Sequence, residues 1–500
     1  MSDSTGPAPV LISKTRYIQG LQCTKLLWHV YNTRDLVPPA DASTQAVFDQ
    51  GHEVGSLAQQ LFPGGIAVEG TVPFDEVVTR SRDLLHGRAP LFEAGFRHNH
   101  VIARADVLEP AGADEWNLVE VKSSTSVKDP YWDDLAIQRH CYEGAGLRIR
   151  RCWLMHVDNR YVREGHVDPS RLFARVDVTN TVEKKMIGIE RRIDVMLHVI
   201  QAAHSPEVEI RPQCSSPYAC PLIPLCWKKV LETRNSIFSL TRLGAKAWPL
   251  YRQGVETTDS IPADFRLSRA QKIQVKAERH GRPSISVRAA GRFLSTLRSP
   301  LYYLDFETFQ TAIPLLDGTR PYQPVPFQFS LHVAASADSA LEHYSWIWEG
   351  KGDPRKILLD ELQRLIGPLG TVVAYGAAFE RARLRECALA YPELAAWVEG
   401  ILGRIVDLLA PFRSFSVYFP AQEGSASMKR VLPALTGRSY KDLAIQEGGQ
   451  ASIEFKRITF GDVPEEERRR VRGQLEEYCG LDTQGMADIV RALVKLANRE

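Results

Sequence analysis

Residues 101–125 read VIARADVLEPAGADEWNLVEVKSST, and this stretch decides the fold of the first part of the chain. Two β-rich runs, 101–110 and 117–125, surround a turn holding Pro110 and Gly112, which is the pattern of a hairpin. Side chains alternate along a strand, so Glu120 and Lys122 share one face while Val119 and Val121 take the other. Asp106 closes the first run. Two carboxylates and a lysine converging at strand ends can hold a divalent cation through hard oxygen ligands. The ammonium can then orient, or help deprotonate, an attacking water. An exposed hairpin with its charges in water fits the same residues. Downstream, DDLAIQRHCYEGAG (133–146) reads as a helix with Gln138 and Tyr142 one turn apart on one face.

A second constellation lies far along the chain. LYYLDFETF (301–309) is an apolar β-rich run with Asp305 and Glu307 on one face and Leu304 and Phe306 on the other. Two acids on a buried strand are costly unless neutralised, and a pair of metal ions is one solution; solvated acids at a strand end are the other. TVVAYGAAFERARLRECA (371–388) reads as strand, turn and helix, with Glu380 at the helix start. In EEYCGLDTQGMADIVRAL (476–493), Tyr478 and Asp482 project from the same helix face.

The chain of 500 residues is long enough for about three domains. With 44% apolar and 24% charged residues it is an ordinary globular composition, which excludes wholesale disorder. No apolar run reaches the length of a membrane span and the start has no signal-peptide core, so a soluble cytoplasmic protein without a membrane partner is expected. Eight cysteines are too few for a disulfide scaffold. Three of them, Cys214, Cys220 and Cys226, sit in the Pro-rich CSSPYACPLIPLCW with Cys23 far upstream as the available fourth. Reduced thiols on a loop stiffened by proline suit a soft metal, and spacing alone leaves zinc and iron–sulfur equally open. Cys141, Cys152, Cys387 and Cys479 read as small hydrophobes.

The formal charge of +2 hides an uneven distribution. Between Lys228 and Pro300 stand fifteen Lys and Arg against five acids, a surplus of ten, so the rest of the chain carries −8. Within this stretch SLTRLGAKAWPLYRQGVETTDSIP loosely resembles a helix–hairpin–helix element. The surplus fits phosphate contact and equally a solvated, Arg-rich linker.

In order, Cys23, Asp106, Glu120-x-Lys122, Gln138-x3-Tyr142 and the late cysteine triplet resemble the RecB-like PD-(D/E)xK nucleases of the iron–sulfur type. The resemblance spans residues 8–232. It implies a restriction-endonuclease-like domain in which Asp106 and Glu120 bind Mg²⁺ or Mn²⁺, Lys122 serves the water, and Gln138 and Tyr142 border DNA. It also implies that Cys23, Cys214, Cys220 and Cys226 ligate a 4Fe–4S cluster. Two departures stand out. The first late cysteine spacing is x5 in place of x2, and the early metal-binding His falls on Gly55, leaving His52 as the candidate. Glu93 is a possible extra acid.

The later set, Asp305-x-Glu307 with Tyr478-x3-Asp482, resembles the DEDDy branch of RNase H-like 3′–5′ exonucleases over residues 298–500. Carried over, Asp305, Glu307 and Asp482 would ligate two metals and Tyr478 would orient the water. Glu380 would stand where the superfamily usually has Asp, with Asp407 in reserve. AIPLLDGTRPYQPVPFQFSLHV, together with the segment from Ser427 and Lys429 to VLPAL, resembles a bacterial domain-of-unknown-function family joined to RecB-like N-termini. The expectation is thus an α/β nuclease with two catalytic heads joined by a basic helical connector, 233–297. It would act on nucleic acid, DNA before RNA. The rival is a nucleic-acid-binding protein with one or both heads inactive.

Overall fold

A computed structural model describes residues 10–68, 70 and 72–498; positions 8–9 and 499–500 of the expected domains lie outside it. The chain is mixed α/β and divides into two compact units. The first comprises Met1–Lys228 together with Thr311–Tyr322, and the second Lys229–Gln310 together with Gln323–Glu500. Two boundaries therefore differ from expectation. The basic stretch 233–297 folds into the second unit rather than standing as a connector, and 311–322 folds into the first. Among the described residues, no helix is long and apolar enough to cross a membrane.

The first unit is built on a seven-stranded sheet. Its strands are β1 (Ile12–Ser13), β2 (Ile66–Ala67), β3 (Leu91–His98), β4 (Val101–Ala111), β5 (Glu115–Lys122), β6 (Arg148–Val157) and β7 (Phe173–Asp177). They run in the order β2-β3-β4-β5-β6-β7, with β1 pairing beside β4. The expected hairpin is β4–β5, antiparallel with Val107 opposite Val119, and its second strand stops at Lys122. The helix Asp129–Gly144, started by a proline in its first turn, buries Leu135, Ile137 and Cys141 into the same core as Ala103, Ala105 and Leu118.

Regular alternation fails between β3 and β4. Pairing between β3 and β4 skips Glu93 and Asp106, and Glu93 takes φ +56. Beyond that point the strand faces swap. Ala105 packs in the helix-side core, whereas Val107 joins Phe92 and Val119 in a cluster of its own. An irregularity of this kind re-aims a side chain and interrupts the ladder. It falls on one of the carboxylates expected to bind metal.

In the second unit five strands run β11-β10-β9-β12-β13. They are β9 (Leu301–Phe309), β10 (Val325–Ala334), β11 (Leu341–Ile347), β12 (Thr371–Ala374) and β13 (Ile405–Asp407), with a small separate pair β8 (Ser284–Ile285) and β14 (Val417–Tyr418). The central strand β9 is antiparallel to β10 and parallel to β12, which is parallel to β13. The long helix Glu465–Ala497 is fixed to this sheet by polar contacts as well as apolar burial. Gln328 Nε2 donates to the Leu475 carbonyl at 2.9 Å, and the Ser330 and Thr483 hydroxyls lie 2.7 Å apart.

The basic stretch folds over its own apolar cluster, which includes Ile237, Leu240, Leu250 and Val275. The segment expected to resemble a helix–hairpin–helix holds the 3-10 turns Ile237–Ser239 and Gly244–Lys246 and the helix Ala247–Arg252. The main element is the helix Arg269–His280. It opens on a Ser268–Gln271 capping box and ends at Gly281 with φ +62.

Candidate active sites

In the first unit, a cavity of about 1270 Å³ is lined by Asp106, Glu120, Lys122, His52 and Glu93, among others. Glu120 is its electrostatic centre. It is 1% exposed, and its Oε1 accepts from Lys122 Nζ and Lys14 Nζ, each at 2.7 Å. Its Oε2 accepts from Gln138 Nε2 at 2.7 Å. Burial alone would raise this acid, but the two ammoniums outweigh it and hold it well below the usual carboxylate range. Asp106 goes the other way. Burial and the Glu120 charge push it up, against Lys14, Lys122 and the Val121 N–H that donates to its Oδ2 at 2.7 Å. The pair divides into one ionised carboxylate and one that keeps its proton more readily.

Lys122 also donates to Asp134 Oδ2 at 2.7 Å and lies 4.9 Å from the centre of the Tyr131 ring. Burial would lower this ammonium, but the surrounding carboxylates, led by Glu120 and Asp134, carry it well above its ordinary value. It is held protonated, so what it offers the cavity is a hydrogen-bond donor.

Sequence reasoning missed Lys14, Asp134 and Tyr131. Lys14 comes from the start of the Lys14–Gln22 helix, 106 residues from Glu120, and no local spacing connects them. Lys14→Met is expected to destabilise the metal-free protein by about 1–3 kcal/mol, with added Mn²⁺ recovering part of that loss. Equal denaturation midpoints for variant and wild type without metal would contradict it.

Of the expected DNA-bordering pair, Gln138 reaches the site through Glu120, whereas Tyr142 does not. Tyr142 is fully buried; its hydroxyl donates to the Ala94 carbonyl and accepts from the Ala105 N–H at 2.9 Å. The helix face that carries Gln138 to the cavity runs beneath the sheet by the next turn. Tyr142 ties β3 to β4 instead of facing a ligand.

In the second unit, Asp305, Glu307, Tyr478 and Asp482 line one cavity of about 290 Å³. Ligand atoms of Asp305, Glu307 and Cys479 lie within 4.8 Å of one another, the one such trio among the described residues. Cys479 is therefore more than a small hydrophobe; its thiol points at Asp305 Oδ2, 3.7 Å away. Burial and the charges of Asp482, Glu307 and Glu380 push Asp305 well above the carboxylate range. Glu307, 6% exposed, is pushed up to about 8 by burial and Asp482, against Lys429. Tyr440, not anticipated from sequence, donates its hydroxyl to Asp482 Oδ1 at 2.5 Å. Tyr478 is pushed far up by burial and Asp482, so its phenol keeps its proton and serves as a donor.

Between the two candidates for the fourth acid, the geometry favours Glu380. It is 3% exposed, its Oε2 has no hydrogen-bond partner, and burial together with Asp407 raises it to about 7. Asp407 Oδ1 is spent on the Gly376 and Leu409 N–H groups, at 2.8 and 3.0 Å. Four acids, Glu307 and Glu380 buried and Asp305 and Asp482 half-buried, one of them with an orphaned oxygen, are a donor set suited to divalent cations.

Cys23, Cys214, Cys220 and Cys226 line one small cavity in the first unit. Gln22 brings the segments together, its Nε2 donating to the carbonyls of Gln213 at 2.8 Å and Tyr218 at 2.7 Å. Burial and then the charges of the other three cysteines push the Cys220 thiol up to about 11.

Comparison with known proteins gives three findings. Residues 302–427 match a family described as a domain of unknown function, DUF2779. The chain is 26% identical over 215 residues to the uncharacterized protein MG366 homolog of Mycoplasma pneumoniae, covering 39% of this chain and 32% of that protein. It is 25% identical over 216 residues to the uncharacterized protein MG366 of Mycoplasma genitalium, with the same coverage. The chain thus spans about a third of the length of the curated relatives it matches. Among solved structures, an alkaline exonuclease (LHK-Exo) from Laribacter hongkongensis aligns with 38% of this chain and 91% of its own at 11% identity, with a TM-score of 0.21. Its complex with dAMP gives 12% identity and a TM-score of 0.20. At those scores the likeness carries no argument.

Proposed function

We propose that the protein is a metal-dependent nuclease that hydrolyses phosphodiester bonds at two separate centres. The observation that carries this reading is the second-unit cluster of Asp305, Glu307, Glu380 and Asp482, two buried and two half-buried acids all raised by burial, the first three also by neighbouring carboxylates. Such an arrangement is unfavourable in itself and becomes favourable with cations. Mg²⁺ or Mn²⁺ bound there would activate a water and stabilise the attacking and leaving oxygens. Tyr478 would donate to that water. The strand order around β9, with Asp305 and Glu307 on its central strand, agrees with an RNase H-like exonuclease.

In the first unit, Asp106 and Glu120 would hold the cation and Lys122 would orient the nucleophile. His52, exposed on the Ala42–Gln59 helix, lines the same cavity and is available as a further ligand. A nucleic-acid substrate is supported by the helix Arg269–His280. Arg269, Lys272 and Lys276, each exposed, line a cleft of about 500 Å³. Three cations on one helix face suit a phosphate backbone. DNA is preferred to RNA on the resemblance of the first unit.

The reading is tested with labelled single-stranded DNA and Mn²⁺, comparing wild type with the Lys122→Ala/Asp305→Asn double variant. Degradation by wild type alone supports it. Equal behaviour of the two proteins would favour a nucleic-acid-binding protein with inactive heads.

The four cysteines fit a metal group held between the first helices and the 214–226 loop. Four thiolates lining one small cavity could complete the coordination of one zinc or of one iron–sulfur cluster. On the resemblance of the first unit the group would be an iron–sulfur cluster, ligated by Cys23, Cys214, Cys220 and Cys226, that ties distant chain segments together. Anaerobically purified wild type is expected to be brown and to contain iron, and Cys220→Ser to lose both colour and thermal stability. A colourless preparation with one zinc per chain would overturn the assignment.

A further inference from the structure

The chain leaves β9 after Gln310, and residues 311–322 fold as part of the first unit. They form a fixed strap. Ala312 is fully buried in a cluster with Val54, Val157 and Leu172. Arg163 Nη1 donates to the carbonyls of Pro314 at 2.9 Å and Leu315 at 2.7 Å, and the Arg163 backbone pairs with Gly318 and Thr319. Tyr322 ends the strap, and its amide donates back to the Thr311 carbonyl at 2.8 Å.

Tyr322 is held with unusual firmness. Its φ is +58, a left-handed conformation that a residue with a β-carbon adopts at a cost and keeps only where its surroundings impose it. Its hydroxyl donates to the carbonyl of Ser123, the residue after Lys122, at 2.6 Å. The ring nevertheless remains half-buried and lines the cavity that holds Asp106, Glu120 and Lys122. With the hydroxyl already satisfied, what the side chain offers the cavity is its aromatic face.

We infer that Tyr322 is a substrate-positioning residue of the first site, whose ring is the stacking face for a nucleobase of the strand presented to Glu120 and Lys122. This deepens the nuclease reading and rests on it. Base–aromatic stacking is tolerant of sequence, because every base has a π-face. It is most effective on a ring that loses no freedom when the strand arrives, and anchorage at φ, amide and hydroxyl supplies that condition. The chemistry recognised is an unpaired base, so the substrate would carry a single-stranded segment at this site.

The test uses full-length protein carrying Asp305→Asn to silence the second site, with Tyr322→Leu and Tyr322→Phe added separately. Binding is read in Ca²⁺ from the fluorescence of a single-stranded oligonucleotide containing 2-aminopurine, cleavage is read in Mn²⁺, and melting temperatures report folding. Tyr322→Leu is expected to weaken binding roughly ten-fold, within the range of lost stacking. It should raise KM with kcat little changed and relieve the quenching of 2-aminopurine. Tyr322→Phe is expected to keep affinity and quenching. If Phe is as damaging as Leu, the residue is a hydroxyl anchor and the proposal fails. It fails equally if Leu leaves affinity and quenching intact. Should cleavage in this background not depend on Lys122, the nuclease reading of the first site falls, while the binding arm still decides whether Tyr322 stacks.

Discussion

Asp305→Asn should silence the second site and at the same time stabilise the metal-free protein. On the proposed function Asp305 would help hold the cation that activates the water, and its removal is expected to cost roughly 10²–10⁴-fold in the cleavage due to this site, comparable to losing a catalytic acid or base. The stability gain follows from the like charges that face it. Glu307, Glu380 and Asp482 all sit above their ordinary values in the folded chain, burial first and neighbouring acids second for the two glutamates. An acid raised on folding contributes stability that is fully present below its unfolded value, near pH 4, and is lost as pH rises through its folded value. With Glu380 at about 7 and Glu307 at about 8, metal-free wild type should lose stability across pH 4–8. Asp305→Asn should flatten that slope, and Mn²⁺ should restore wild type at pH 8 far more than the variant. Thermal melts at pH 5.5 and 8, with and without Mn²⁺, decide the matter; parallel curves for the two proteins would defeat the assignment.

The second large effect concerns Lys122, tested with the second site silenced. Lys122→Ala is expected to lower cleavage roughly 10²–10⁴-fold while leaving Asp106 and Glu120 able to bind cation. The Mn²⁺-induced rise in melting temperature should therefore survive when activity does not. Glu120 retains Lys14 at 2.7 Å as a counter-charge, so the carboxylate is not stranded, although Asp134 loses its ammonium partner. Unchanged cleavage would remove Lys122 from the chemistry, and a lost Mn²⁺ response would make it structural instead.

What was legible beforehand depended on short-range periodicity. Glu120 and Lys122, Asp305 and Glu307, and Tyr478 and Asp482 lie two or four residues apart, where strand and helix geometry alone place them side by side. Gln138 was legible in the same way. Its companion Tyr142 was not, because the spacing fixes a shared face but not how far that face dips beneath the sheet. The swap of strand faces at Glu93 and Asp106 left no pattern either, since it depends on which residues of β3 and β4 fail to pair.

Residue order alone was enough for the hairpin, the two acid-bearing strands and the grouping of cysteines, because each rests on local pattern or composition, and the resemblance of its motifs implied the α/β class. Tertiary structure decided everything that depends on proximity between distant segments. It brought Lys14 onto Glu120 and Asp134 onto Lys122, spent Asp407 Oδ1 on backbone amides while leaving Glu380 Oε2 without a partner, and gathered the four cysteines around one small cavity. It also carried Tyr322 from the far side of β9 to the wall of the first site. The physical reason is the same in each case: burial and Coulomb interaction depend on distance in space, and folding sets those distances independently of how far apart the residues stand in the sequence.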